Sequence, residues 1–215
     1  MRKIICFLLV LMFISIFIFI LNIKNIEIKI KEINSKYKYQ INVDYPKTKY
    51  KKLNNKIIKE LNQYIKYFKK DMKYINGKIN RYYSLDIFYK EYKYNNYLSY
   101  KFIFATYTGG AHNNYDILTI VYNKDTNKFI TIESLKKLNP NILELFKDIS
   151  RKDLLYNQNI ETSFIMSGTE AKLCNFSNFI LTKKGIVLIF PPYQVAPYSY
   201  GEINVTIPYT NIKLN

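Results

Sequence analysis

The sequence predicts an α+β fold with antiparallel sheets and about two packed helices, preceded by one N-terminal transmembrane helix. About nine short segments alternate apolar and polar residues with the period of two that is typical of half-buried strands. Two longer segments carry apolar residues at steps of three and four, which indicates amphipathic helices. An unbroken apolar run opens the chain. Short polar turns join most of the strands, and this favours hairpins and therefore antiparallel pairing.

The first element is the apolar run of residues 4–21, in which Ser15 is the single polar residue. A helix of this length spans about 27 Å, close to the hydrocarbon thickness of a bilayer. No small-x-small cleavage site follows the run, so residues 1–22 are predicted to be an uncleaved signal-anchor, with a cleaved signal peptide as the alternative. Arg2 and Lys3 favour a cytoplasmic N-terminus, which places the rest of the chain outside the cell membrane.

Two strands and a long helix are predicted next. Alternating apolar residues on both sides of Asn34-Ser35 indicate a hairpin that ends at Pro46. From Lys49 the apolar residues recur at helical spacing over about six turns, at Leu53, Ile57, Leu61, Tyr64, Ile65, Phe68 and Met72. Lysines lie mostly on the remaining faces of this helix, at Lys52, Lys56, Lys59, Lys66, Lys69, Lys70 and Lys73. They either face water behind a helix that covers a sheet, or they hold an acidic wall polymer or lipid.

The second half of the chain continues with hairpins and one more helix. Asn139, followed by Pro140, is predicted to cap a helix that runs through Leu154. The predicted strands are residues 84–94, 97–107, 115–122, 129–132, 178–181, 186–190 and 203–207. A boundary within 110–114 divides the body into α+β subdomains of residues 23–110 and 111–215, which are expected to form one compact unit. Cys6 lies in the apolar run, so no intrachain disulfide is expected, and Cys174 is predicted to be buried.

The net charge is +17 and is unevenly distributed. Residues 22–100 hold 19 basic and 7 acidic side chains, whereas residues 101–215 hold 12 and 9. A basic region favours an anionic partner such as lipid headgroups or an acidic wall polymer. AT-rich codon usage is the competing explanation, because Lys, Asn, Ile and Tyr are all abundant. An extracytoplasmic location excludes nucleic acid as a partner.

Catalysis is not predicted. His112 is the single histidine, which leaves too few ligands for a histidine-based metal site, and no nucleophile elbow accompanies it. Gly109-Gly110 lacks the lysine and helix of a phosphate-binding loop. The carboxylates are scattered, without a pair that suits glycoside hydrolysis. We therefore expect neither a catalytic residue nor a metal nor a cofactor.

Two aromatic loops are the candidate ligand-binding segments. The first is Tyr107-Thr-Gly-Gly-Ala-His112, directly after a predicted strand. The second is Phe190-Pro-Pro-Tyr-Gln-Val-Ala-Pro-Tyr-Ser-Tyr-Gly201, in which prolines restrict the backbone. Its tyrosines either stack on a sugar or grip a protein, or they pack inward at a tight corner. The candidate ligand-binding residues are Tyr107, Gly109, Gly110, His112, Tyr193, Pro197, Tyr198 and Tyr200.

These two loops, together with Val205-Thr-Ile-Pro-Tyr209 and Asp44-Tyr45-Pro46, resemble the signatures of a bacterial extracytoplasmic domain of unknown function. That domain is shared by the lysozyme-sensing anti-sigma-V factor and the peptidoglycan N-acetylglucosamine deacetylase family. The resemblance covers about residues 26–209. It implies an outward-facing recognition domain at the cell envelope. A sigma factor is not an expected partner, because only Met1-Arg2-Lys3 precede the apolar run.

Two hypotheses about function follow, the first from the resemblance and the second from the uneven charge together with the aromatic loop. In the first, a membrane-anchored binding domain without catalytic activity captures lysozyme or a similar wall hydrolase. In the second, an envelope module contacts peptidoglycan through its tyrosines and an acidic wall polymer through its lysines. The basic charge speaks against a basic protein partner, unless the nearly neutral residues 101–215 carry the contact.

Overall fold

The structure is a computed structural model that describes residues 26–75, 82–157 and 160–212. The predicted signal-anchor, residues 1–22, lies outside these ranges. None of the helices within them is sufficiently long and apolar to pass through a bilayer. The membrane anchor therefore stays a prediction.

The described residues form two sheets and four α-helices. Strands β1 to β6 form a six-stranded sheet in sequence order, and β7 to β9 form a three-stranded sheet. The elements are β1 (Ile26–Asn34), β2 (Tyr39–Lys47), α1 (Lys51–Ile75), β3 (Tyr83–Tyr94), β4 (Tyr97–Tyr107), β5 (Asn114–Asn123), β6 (Lys128–Ile130), α2 (Ile132–Leu138), α3 (Ile142–Asn157), α4 (Thr162–Gly168), β7 (Phe179–Thr182), β8 (Gly185–Phe190) and β9 (Ile203–Ile207).

The α+β class is confirmed, and the prediction of antiparallel sheets is correct for every described strand pair except one. Strands β2 and β3 pair in parallel, with Tyr39 opposite Tyr83 and Val43 opposite Ile87. The 25-residue helix α1 follows β2 and precedes β3 in the sequence. It returns the chain to the end of the sheet at which β2 began, so that β3 runs parallel to β2. The order strand, amphipathic helix, strand is the sequence signal for such a pair. Pro46 lies within β2, opposite Glu27 on the outermost strand.

The prediction of about two helices is wrong, because the described residues contain four. Helices α2 and α4 have seven residues each, too few for a helical period to be recognised. The helix predicted to have Asn139 as its N-cap and Pro140 as its first residue begins at Ile142 instead. Asn139 ends α2, where its N–H donates to Leu135 O, and its side-chain oxygen accepts a hydrogen bond from Asn141 N at 3.0 Å.

Helix α1 covers one face of the six-stranded sheet. Its apolar stripe, which is buried at Leu53, Ile57, Leu61, Phe68 and Met72, packs on inward-facing residues of β2, β3 and β4. Seven of its lysines are exposed on the other sides of the helix, at Lys51, Lys52, Lys56, Lys59, Lys66, Lys70 and Lys73. The amphipathic pattern therefore corresponds to a helix that covers the sheet with its apolar side and exposes its basic side to solvent.

The three-stranded sheet lies against the opposite face of the first sheet, and polar side chains join the two. Leu181 N donates to Ser99 Oγ at 3.1 Å, and Phe179 N donates to Thr119 Oγ1 at 3.0 Å. Ser99 is fully buried. These bonds attach the edge strand β7 to β4 and β5, and the other face of the small sheet packs on α2, α3 and α4.

A buried ion pair forms a second connection between the sheets. Lys101 lies on β4, and its Nζ is 2.7 Å from both carboxylate oxygens of Glu202, immediately before β9. The Lys101 side chain is only 11% exposed. The six-stranded sheet also continues past residue 110 into β5 and β6. The division into residues 23–110 and 111–215 stays a prediction.

The prediction that Cys174 is buried is wrong. Its thiol is exposed, in a short 3₁₀ turn of residues 173–176. Phe176 supplies the buried side chain of that turn instead. Burial is predicted from apolar residues that recur at regular spacing, and a single cysteine in a turn belongs to no such pattern. The sequence therefore does not show whether Cys174 faces the core or the solvent.

Candidate functional site

The first aromatic segment forms the hairpin loop between β4 and β5, which we call loop 1 (residues 108–113). Tyr107 is the last residue of β4 and is half-buried. Gly109 adopts a φ of +94°, a conformation that side chains rarely allow. Gly109, Gly110 and His112 are all exposed. The glycines thus make the reversal that brings His112 to the surface.

The second segment connects β8 to β9, and we call it loop 2 (residues 191–202). Its centre is fixed from the inside, because Val195 and Ala196 are buried in the core of the small sheet. The Gln194 side-chain amide donates to the carbonyls of Gly168 and Asn175, each at 2.9 Å. Loop 2 is therefore a packed segment rather than a loose connection.

The last residue of α4 lets loop 2 approach closely. A Cβ atom placed on Gly168 would lie 2.0 Å from Gln194 O and 2.8 Å from the Val195 side chain. No side chain fits in that space. Glycine at this position therefore sets the depth at which loop 2 lies on α4.

Loop 1 and loop 2 meet through one ring stack and one hydrogen bond. The His112 and Tyr198 rings lie 4.0 Å apart between centroids, with 17° between their planes. The Tyr198 hydroxyl donates to the carbonyl of Asn113, and His112 Nδ1 lies 2.9 Å from the same oxygen. Residues 85 positions apart in the chain thereby form one surface.

Two further rings extend this contact into an aromatic cluster, which we define as His112, Tyr115, Tyr193 and Tyr198. Tyr193 and Tyr115 lie 5.4 Å and 6.2 Å from the Tyr198 ring. Tyr193 is 58% exposed, so its ring faces solvent. Partial burial, with the neighbouring hydroxyls of Tyr115 and Tyr193, raises the pKa of Tyr198 above its usual value.

The backbone holds one tyrosine of the cluster in a strained conformation. Tyr193 has a φ of +70°, which is rare for a bulky residue. Such strain costs on the order of 1 kcal/mol or more and persists only where the surrounding structure enforces it. The bond from Gln194 to α4, one residue later, supplies that constraint.

The structure brings together only part of the predicted set. His112, Tyr193 and Tyr198 meet in the aromatic cluster, and Pro197 precedes the short turn of residues 198–200 that carries Tyr198. Tyr200 ends that turn and is exposed. Tyr107, Gly109 and Gly110 shape loop 1. The sequence analysis did not include Tyr115 among the site residues, because its alternating pattern assigned it to a strand. Its position three residues after His112 was the available signal that it lies near loop 1.

An acidic cleft of about 340 Å³ lies between α1 and the ends of β4 and β5. Thr108 and Asn114, on either side of the turn of loop 1, line it together with the carboxylates of Asp71 and Asp116. Neither Lys nor Arg occurs among the described residues that line it, although the chain is strongly basic. The cleft therefore suits a neutral or positively charged group.

Tyr64 forms one wall of this cleft. Its ring stacks on Phe104 at 4.0 Å, and its hydroxyl donates a hydrogen bond to Asp116. Burial and the Asp116 carboxylate raise the pKa of Tyr64 well above its usual value, so this hydroxyl stays protonated at physiological pH. The bond fixes Asp116 beside loop 1. In the described part of the chain, no three His, Cys, Asp or Glu side chains are grouped as metal ligands.

The fold and these loops define an α+β domain in which the edge strand of a small sheet packs on a larger sheet and two aromatic loops meet on the surface. The chain belongs to the family described as "Protein of unknown function (DUF3298)", which matches residues 24–210. It is similar to a DUF3298 family protein from Pseudomonas aeruginosa PAO1, with a TM-score of 0.66 and 16% identity. It is also similar to a member from Bacteroides fragilis NCTC 9343, with a TM-score of 0.56 and 18% identity. Each comparison covers 87% of this chain and 90% of the other.

Part of the chain is similar to a peptidoglycan deacetylase. The peptidoglycan-N-acetylmuramic acid deacetylase PdaC of Bacillus subtilis (strain 168) is 30% identical over 107 residues. The match covers 49% of this chain but only 23% of PdaC. About half of this chain is thus similar to a minor part of PdaC. The name of PdaC specifies N-acetylmuramic acid, whereas the resemblance seen in the sequence was to the N-acetylglucosamine deacetylase family.

Proposed function

We propose that this protein is a membrane-anchored extracytoplasmic recognition domain that binds a wall-related ligand without changing it chemically. The ligand we favour is lysozyme or a similar wall hydrolase. The observation that carries this proposal is the stacking of His112 on Tyr198, which joins loop 1 and loop 2 into one exposed aromatic surface. Tyrosine supplies a large contact area at a low cost in conformational entropy.

The acidic cleft removes part of the electrostatic objection to a basic partner. The net charge of +17 repels a basic protein at long range. Close contacts depend on local charge, and Asp71 and Asp116 line the cleft beside loop 1. A lysine or arginine of the partner would meet carboxylates there. Moderate salt screens the distant lysines more than such a close contact, so it favours binding.

Tyr198→Ala is expected to weaken binding of lysozyme to the full-length protein about tenfold or more, because it removes the ring that joins the two loops. Isothermal titration in detergent at moderate salt measures this. Tyr156→Ala is the matched control, because Tyr156 is 88% exposed on α3 and belongs to neither loop. The control should bind as tightly as the unaltered protein. Equal affinity of all three proteins, or no binding heat at all, would contradict the proposal.

The exposed lysines of α1 favour a second candidate function, binding of an acidic wall polymer. Lys59, Lys66, Lys70 and Lys73 are exposed, and the last three line one shallow surface groove. In that case, retention of the protein on isolated cell wall should fall as salt rises. Replacing Lys66 and Lys70 with glutamate should release it at lower salt, whereas Tyr198→Ala should not. Retention that changes neither with salt nor with the replacement of these lysines would rule out this second function.

A further inference from the structure

Strand β1 is an open edge of the six-stranded sheet. It pairs with β2 along its whole length, from Ile26 opposite Lys47 to Asn34 opposite Tyr39. No other described strand pairs with it. A nine-residue edge leaves a row of N–H and C=O groups available to another strand, which most proteins prevent with short, bulged or covered edges. An open edge of this length invites pairing.

The edge is apolar as well as unpaired. Ile26 and Ile30 are 55% and 48% exposed, although they share the sheet face of the buried β2 residues Ile41 and Val43. Glu32, on the same face, forms an ion pair with Lys69 of α1, with 2.6 Å between Glu32 Oε2 and Lys69 Nζ. The face that α1 covers therefore continues outward past the helix as exposed isoleucine. A further strand beside β1 would bury it.

The residues of β1 complement a second copy of themselves. In an antiparallel pair centred on Ile28, each Ile26 lies opposite an Ile30 of the other copy, and Ile28 lies opposite itself. Each Glu27 then lies opposite a Lys29 of the other copy, on the second face of the sheet. Directly opposed charges of opposite sign and matched apolar residues are the pairs that stabilise antiparallel sheets.

The symmetric registers centred on Glu27, Lys29 and Ile30 are worse. Centring the pair on Ile30 opposes Lys29 to Lys31 twice, and centring it on Glu27 opposes two carboxylates. A centre at Lys29 opposes two ammonium groups and places Ile26 opposite Glu32. Like charges directly opposite one another destabilise a sheet. One register therefore stands out, as a specific interface requires.

We propose that the protein forms a homodimer through antiparallel pairing of β1 with β1 of a second copy, centred on Ile28. The two six-stranded sheets become one twelve-stranded sheet, with the α1 helices on the same face. The Lys29 ammonium lies 3.6 Å from the Glu27 carboxylate of its own strand and 3.7 Å from that of Asp44 on β2. In the dimer it also faces Glu27 of the second copy. The dimer carries two aromatic clusters, but its formation does not depend on what they bind.

Charge reversal with rescue tests the interface. Sedimentation velocity of the full-length protein in detergent should show a dimer with a dissociation constant on the order of micromolar. Glu27→Lys should raise that constant about tenfold, because it opposes lysines at two symmetric positions. The double variant Glu27→Lys/Lys29→Glu should restore dimerisation. All proteins compared carry Asp44→Asn, because the new carboxylate at position 29 would otherwise lie opposite Asp44 within each copy. Lys29→Glu alone should also weaken the dimer, because it opposes carboxylates at two symmetric positions. A general effect of net charge predicts the opposite, because this change lowers the positive charge of the protein. A monomeric unaltered protein at about 100 μM, or failure of the double variant to recover, would overturn the proposal.

Disulfide trapping tests the register independently. In a Cys6→Ser/Cys174→Ser background, Ile28→Cys should form a disulfide-linked dimer, because opposed residues lie about 4.5–5.5 Å apart between Cα atoms. Ile33→Cys is the matched control: Ile33 is 55% exposed on the same strand, but its two copies would lie about 33 Å apart. Equal cross-linking of the two variants would show random collision and would refute the register.

Discussion

Replacing Glu202 with alanine is expected to lower the free energy of unfolding by about 3–5 kcal/mol. The Lys101 side chain is only 11% exposed. The change leaves its ammonium without the carboxylate whose two oxygens both lie 2.7 Å away. An unpaired buried charge is far more costly than an absent pair. Chemical denaturation of the variant and the unaltered protein measures the difference.

Lys101→Met is the control, because the Lys101 side chain is less exposed than that of Glu202. Lys101→Met removes the buried charge and leaves Glu202, the more exposed partner, able to reach water. We expect it to cost about 1 kcal/mol, clearly less than Glu202→Ala. The double variant should resemble Lys101→Met, because no unpaired ammonium remains. Equal losses for the two single variants would show that the ion pair does not control this contact between the sheets.

Gly168→Ala is expected to destabilise the protein by about 3 kcal/mol and to displace loop 2. The added methyl carbon would lie 2.0 Å from Gln194 O, so α4 or the loop must move. Alanine is the better helix former, so helix propensity alone predicts the opposite sign. Urea denaturation measures stability, and near-ultraviolet circular dichroism reports on the tyrosines of the aromatic cluster.

Gly110→Ala is the matched control for this substitution. Its Cβ would find His112 O at 3.8 Å, an ordinary contact in open loop 1. We expect a change within about 0.5 kcal/mol and an unchanged tyrosine spectrum. Were Gly168→Ala equally mild, the close contact between α4 and loop 2 would not be essential.

Hairpins and the long amphipathic helix were predictable because each is specified locally. Strand β4 begins and ends at Tyr97 and Tyr107, as alternation predicted, and α1 extends only a few residues past the predicted stripe. The parallel pairing of β2 with β3 was missed because turn residues were used to assign every pairing. Pairing across a helix is decided by the path of the chain, which α1 determines.

The candidate site was predictable only in its parts. Two loops rich in aromatic residues, glycine and proline stood out, and each holds some of the aromatic cluster. Their contact joins Asn113 to Tyr198 across 85 positions, a distance over which residue spacing carries no signal. The acidic cleft was missed for the same reason, because Asp71 and Asp116 come from a helix and a strand far apart in sequence.

The hydrogen bond from Tyr198 to Asn113 has a consequence for biosynthesis. One half of the aromatic cluster belongs to the early strands, whereas the other half follows β8, close to the C-terminal end of the described chain. A nascent chain that has emerged only as far as the first sheet therefore lacks this surface. The proposed binding surface is therefore completed only after β8 and loop 2 have been synthesised.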